Sequence, residues 1–193
     1  MTINLLPNFK IKHRGYISEQ FIERGIGEFH LAATFVGTLP YGRNANRADY
    51  RLVLKEEQGT CSTKHALLSA LCNEQGIADI KLVTGIYEMD KRNTPGIGQV
   101  LENHRLNAIP EAHCYLKYDN ERFDFTRLDV KNEPIEVFLT EEEIQHDEIG
   151  HHKTQFHRLY LNKWIQDNRL EGRFDVDSLW KVREECIKAL STT

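Results

Sequence analysis

Apolar residues recur at helical spacing in some stretches of the chain and cluster as short apolar runs in others, which predicts separate helical and strand regions. Over residues 18–36, Phe21, Ile22, Phe29, Leu31, Ala32 and Phe35 mark a mostly helical stretch that Gly25 and Gly27 break into two pieces. Gly37 and Pro40 close it, and residues 39–44 read as a turn-rich connection. The sharpest helix follows: Thr60 is a suitable N-cap, Ala66, Leu67, Ala70 and Leu71 form an apolar face, and Gly76 is the stop. A buried strand is predicted over residues 80–89, where Ile80, Leu82, Val83, Ile86 and Tyr87 concentrate. Residues 90–110 are polar and punctuated by Pro95, Gly96, Gly98 and Pro110, with one helical turn expected near 99–103. Two strands should flank Asp119-Asn120, a pair suited to a tight hairpin. Residues 135–139 suit another strand. Thr140-Glu141-Glu142-Glu143 then has the form of a capping box opening a helical remainder, with helices over 154–168 and over 178–190 behind Asp177. Helix, strands, then helices in blocks predict an α+β fold.

The 193 residues suit one domain with a substantial core, and neither a repeat nor a linker interrupts them. A motif-bearing part is expected over about 59–126 and a helical C-terminal part over about 140–190. With 40% hydrophobic and 28% charged residues the composition is that of an ordinary soluble protein. The net charge of −4 argues against a nucleic-acid partner, which usually meets a basic face. No apolar run reaches the length of a membrane span, and the first residues lack a secretory pattern. Cys61 and Cys72 would lie about 16 Å apart along one helix, beyond disulfide reach. Reduced thiols and a cytoplasmic location are therefore expected for Cys61, Cys72, Cys114 and Cys186.

Three residues carry the candidate chemistry. Cys61 opens the apolar helix, where unpaired N–H groups and the helix dipole favour a thiolate. His113 lies in a later strand and can take a proton; Asp124, beyond the hairpin turn, can orient that histidine. A two-residue turn at Asp119-Asn120 pairs Tyr118 with Glu121 and Tyr115 with Asp124. Asp124 then shares a strand face with His113, diagonal to it, while Cys114 points the opposite way. A three-residue turn would reverse that parity.

At these residues the chain resembles the transglutaminase-like superfamily, which has the papain-like cysteine-enzyme fold. Gly59-Thr60-Cys61 matches the pattern before the nucleophile helix, Ala112-His113 opens a strand, and Asp124-Phe125-Thr126 follows the hairpin. The match spans about 59–126. Cys114 and Tyr115 replace the common Ala and Trp, Phe125 replaces a proline, and the interval from His113 to Asp124 is short. The resemblance implies a nucleophile helix packed on an antiparallel sheet, with additional N- and C-terminal helices. It makes Cys61 the nucleophile, His113 the base and Asp124 its orienting partner.

The chemistry implied is acyl transfer or hydrolysis of an amide or ester through a thioester, on a peptide, protein or small-molecule substrate. Peptidase, amidase and transglutaminase-like activities stay open. No cofactor is called for. The Cys61 N–H is one oxyanion donor, and Asn44, Asn46 and Gln58 are candidates for a second. The loop over residues 90–110 is expected either to border the cleft or to be a plain surface connection. Two other readings compete. The fold could serve as a non-catalytic binding module, or His146, His151, His152 and His157 with Asp147 and Glu148 could bind metal. The spacing of that cluster fits neither the helical zinc motif nor a di-iron pair, so no metal is assigned. His65 lies one helical turn after Cys61 and could touch the site or be structural. Trp164 and Trp180 read as core residues of the last two helices.

Overall fold

The computed structural model describes residues 3–128 and 135–190. Among these residues the protein is α+β, with seven α-helices and a four-stranded antiparallel sheet. The helices are α1 (Tyr16–Glu23), α2 (Phe29–Thr38), α3 (Leu52–Glu56), α4 (Cys61–Gln75), α5 (Gly98–Asn103), α6 (His151–Asp167) and α7 (Val176–Leu190). The strands are β1 (Lys81–Met89), β2 (Ile109–Tyr118), β3 (Glu121–Phe123) and β4 (Thr140–Ile144), in the order β3-β2-β1-β4. The chain forms two compact units: residues 1–84, 114–130 and 142–151 in the first, and 85–113, 131–141 and 152–193 in the second.

The first unit is built around α4, against which α1, α2 and α3 pack. Thr60 caps α4 as expected: its hydroxyl accepts from the Thr63 amide, and Thr63 Oγ1 accepts from the Thr60 amide at 3.0 Å. Gly76 ends the helix at φ 74°, in the left-handed conformation that glycine adopts without strain. Phe21, Phe29, Val36, Leu67, Leu68 and Leu71 share this unit's core with Cys114 and Leu116 of β2. Helix α1 starts at Gly15, which has no capping side chain. Glu74 of α4 does that work, accepting from the amides of Ile17 (2.9 Å) and Ser18 (2.7 Å).

The second unit has its own core, with Met89, Ile97, Leu101, Ile109, Leu161, Trp164, Leu179 and Val182. Helix α5 packs on α7. The segment between β1 and β2 is anchored rather than loose. Asp90 accepts from the amides of Arg92 and Asn93, Asn93 donates to the Glu88 carbonyl, and Ile97 is fully buried.

Helix α6 starts at His151, three residues before the predicted 154, and three further boundaries differ from expectation. Residues 135–139 form no strand, although Leu139 donates one backbone bond to the Ile86 carbonyl at 2.7 Å. Thr140–Ile144 is strand β4 instead of a helix start. Its even positions turn inward, Ile144 is buried, and Glu143 reaches Lys81 of β1 at 3.0 Å. Sheet pairing has overridden a local capping signal. Helix α7 starts two residues early because Asp175, not Asp177, is the cap: its carboxylate accepts from the Ser178 amide at 2.7 Å.

Candidate active site

The start of α4 is shaped by its neighbours before any chemistry is considered. Gly59 exchanges backbone bonds with Pro40 and Gly42, and a Cβ there would press on Thr63, Lys64 and Val53. Only glycine fits this approach. Cys61 is the first residue of the helix. It is 8% exposed, whereas Cys72, Cys114 and Cys186 have no exposed surface. Among the described residues none of the four is joined in a disulfide. Its Sγ lies 3.9 Å from Ser62 Oγ. Burial raises the Cys72 thiol above the ordinary range. Burial, together with the charges of Glu111 and Glu185, pushes Cys186 up to about 11.

Two residues one turn further along α4 hold the segment that carries Asp124. Lys64, fully buried, donates to the carbonyls of Leu39 (2.6 Å) and Thr126 (2.7 Å). His65, also fully buried, bonds the Cys61 carbonyl through Nδ1 at 2.7 Å. Its Nε2 accepts from the Phe125 amide at 2.7 Å. An amide donates, so Nε2 must carry a lone pair, and the ring is the neutral Nδ1–H tautomer. Asp124 Oδ1 stands 3.6 Å from the same Nε2, too far for a hydrogen bond and beside a ring without charge. His65 is thus a tie between the helix start and residue 125. With both nitrogens engaged, it is no base for Cys61.

The hairpin turn has the anticipated register. Tyr118 pairs with Glu121, and Asp119 and Asn120 both take positive φ (47° and 62°), the signature of a type I′ turn. The ladder stops at Leu116 opposite Phe123, so the expected pairing of Tyr115 with Asp124 is absent. Its physical cause is local. His65 claims the Phe125 amide, and the half-exposed Asp124 carboxylate accepts from the Thr126 amide at 2.8 Å, turning the chain away. Cys61, His65 and Asp124 belong to the first unit. His113 belongs to the second, where the Tyr87 ring meets it edge-on (6.2 Å) and the Phe138 ring lies nearly parallel to it (6.5 Å).

Of the candidate second oxyanion donors, Asn44 and Gln58 have their side-chain amides bonded within the protein. Asn44, 4% exposed, gives its amide to Glu56 Oε2 and the Gln58 carbonyl (both 2.9 Å) and accepts from Thr63 at 2.8 Å. Gln58 donates to the Arg43 carbonyl, and Asn46 accepts from the Ala48 amide. His146 meets Asn73 and Tyr50, and buried His157 bonds the Pro110 carbonyl. Among the described residues no three His, Cys, Asp or Glu side chains converge as metal ligands.

Lys64 escaped the sequence reading, although its signal was present. It lies three, four and seven residues before Leu67, Leu68 and Leu71, on the helix's buried stripe. No family model, curated protein or solved structure matches the chain. No helix of the described residues is long and apolar enough to cross a membrane.

Proposed function

We propose that the protein is a cysteine-dependent acyl-transfer enzyme with Cys61 as nucleophile, His113 as general base and Asp124 as the residue that orients the histidine. The observation that carries this reading is the placement of Cys61. It is the one cysteine of the four whose residue keeps any exposed surface, 8%, and it occupies the first position of a 15-residue helix whose terminal N–H groups favour a thiolate. The resemblance of Gly59-Thr60-Cys61, Ala112-His113 and Asp124-Phe125-Thr126 to the transglutaminase-like pattern supports it.

In this mechanism His113 takes the Cys61 proton, and Sγ adds to the carbonyl carbon of an amide or ester. The C–N or C–O bond breaks, the leaving group takes the proton from His113, and a thioester remains on Cys61. Water or an amine attacks the thioester and gives its proton to His113, the C–S bond breaks to release the acyl product, and His113 returns the proton to Sγ. The Cys61 N–H supplies one oxyanion contact. Substrates are peptides, proteins or small amides and esters. Four cysteines outside any disulfide suit a reducing compartment such as the cytoplasm.

The test is alkylation of the native chain with iodoacetamide from pH 5 to 9, each cysteine being mapped by mass spectrometry. Cys61 should label alone at pH 6, and His113→Ala should move its profile up towards that of a free thiol, near about 8.5. A Cys61 that labels no faster than Cys72 or Cys186 would overturn the assignment.

A further inference from the structure

Strand β2 reaches His113 through three consecutive residues, each held by a buried polar side chain from α6 or α7 of the same unit. His157 Nε2 bonds the Pro110 carbonyl at 2.8 Å, and Lys153 Nζ donates to the Ala112 carbonyl at 2.8 Å. Between them the Glu111 carboxylate is gripped at two points by Arg183, through Nε (2.6 Å) and a terminal nitrogen (2.5 Å). Glu111, Lys153, His157 and Arg183 are each 9% exposed or less.

A cluster this polar is expensive to bury, and an apolar replacement would serve stability as well or better. Its charge states are nevertheless firmly set. Burial alone would raise the Glu111 carboxyl, but the charge and hydrogen bonds of Arg183 outweigh burial and hold it at about 2. Burial lowers His157 to about 4, so at neutral pH its ring is uncharged and Nε2–H is the donor to Pro110. Arg183 is fixed in turn by Glu184 at 2.5 Å and by the Trp180 ring at 5.2 Å. What such a device supplies beyond stability is geometry, and the next residue is His113. Side chains alternate along a strand, so Glu111 and His113 share one face of β2.

We propose that Lys153, His157 and the Glu111–Arg183 pair are positioning residues for His113, fixing the backbone of residues 110–112 and through it the imidazole. This rests on the reading of His113 as the base. Lys153 and His157 stand one turn apart on α6 and hold alternate carbonyls, while the Arg183 fork sets the side chain between them. Together they remove the freedom of the strand segment to slide or rotate before the histidine.

The experiment uses the full chain with Lys153→Met, which keeps the apolar stem and leaves the ion pair intact. Arg183→Lys keeps the charge but loses the two-point grip. Two readouts are taken: the pH profile of Cys61 alkylation by iodoacetamide, and the NMR titration of the His113 ring. Both variants should slow Cys61 labelling at pH 6 by about tenfold or more, as a small misplacement of a catalytic group does. Both should also move the His113 titration, with far-UV circular dichroism unchanged. Should Lys153→Met fail to fold, Arg183→Lys decides. A lower melting temperature with an unchanged labelling profile and an unchanged His113 titration overturns the positioning role while leaving His113 as base. A His113→Ala variant with the wild-type labelling profile removes the base, and the proposal falls with it.

Discussion

A lysine without exposed surface in the first turn of a helix must have its ammonium satisfied within the protein, and Lys64 finds two carbonyls, Leu39 and Thr126. Its neighbour His65 obeys the same rule with both ring nitrogens. Buried Lys64 and His65 are therefore ties to particular backbone atoms, and each has a defined cost of removal. His65→Leu fills similar space but orphans the Phe125 amide and the ring's contact with the Cys61 carbonyl. Urea unfolding should show a loss of about 2 kcal/mol or more. His65→Gln, which can still offer a donor and an acceptor, should lose less. Equal stability of the leucine variant and the wild type would show that these bonds contribute nothing. The sequence placed His65 beside Cys61 but left its role open, because the Phe125 partner lies 60 residues away.

Elements whose signals are local were legible; those that depend on distant partners were not. Helix α4 carries its own cap and stop in Thr60 and Gly76, and the Asp119-Asn120 turn dictates its own register, so both match expectation. Strand β4 shows the opposite case. Thr140-Glu141-Glu142-Glu143 has a helix-opening composition, yet a place beside β1 makes it a strand. The candidate site divides in the same way. Gly59 and Cys61 were readable from neighbours in sequence, whereas Glu111 and Arg183 meet across 72 residues and left no local mark. Helix α1 offers a direct measure of such remote support. Its first amides bond the Glu74 carboxylate, and Ser18 Oγ adds a third contact at 2.5 Å. Glu74→Ala should cost about 1–2 kcal/mol, the usual range for a lost N-cap. Hydrogen exchange should rise at Ile17 and Ser18 before it rises in α4. Unchanged protection at those two amides would mean that α1 does not rely on this carboxylate.

At the scale of the whole molecule, the two compact units have separate apolar cores, and the buried Glu111–Arg183 cluster lies in the second. Acid should therefore act on that unit in two successive windows. His157 titrates at an ordinary 6.5 when unfolded and at about 4 when folded, because burial disfavours its charged form. Between those values the unfolded chain binds the extra proton. The stability that goes with the neutral ring is thus complete above pH 6.5 and is lost as pH falls through 4. Its size is about 3 kcal/mol, at 1.36 kcal/mol per unit. Glu111 follows: its contribution is present above pH 4.5 and is lost as pH falls through about 2, where the Arg183 pair is discharged. Both tryptophans, Trp164 and Trp180, lie in the second unit, and the Trp180 ring is 5.1 Å from that of His157. Tryptophan fluorescence consequently reports this unit alone. The urea midpoint read by fluorescence should fall between pH 6.5 and 4 in the wild type. In His157→Gln, which can still donate to the Pro110 carbonyl but does not titrate, it should stay nearly level until the Glu111 window opens. A variant with the wild-type slope across pH 6.5 to 4 would show that the proton taken up in that range goes to some other group.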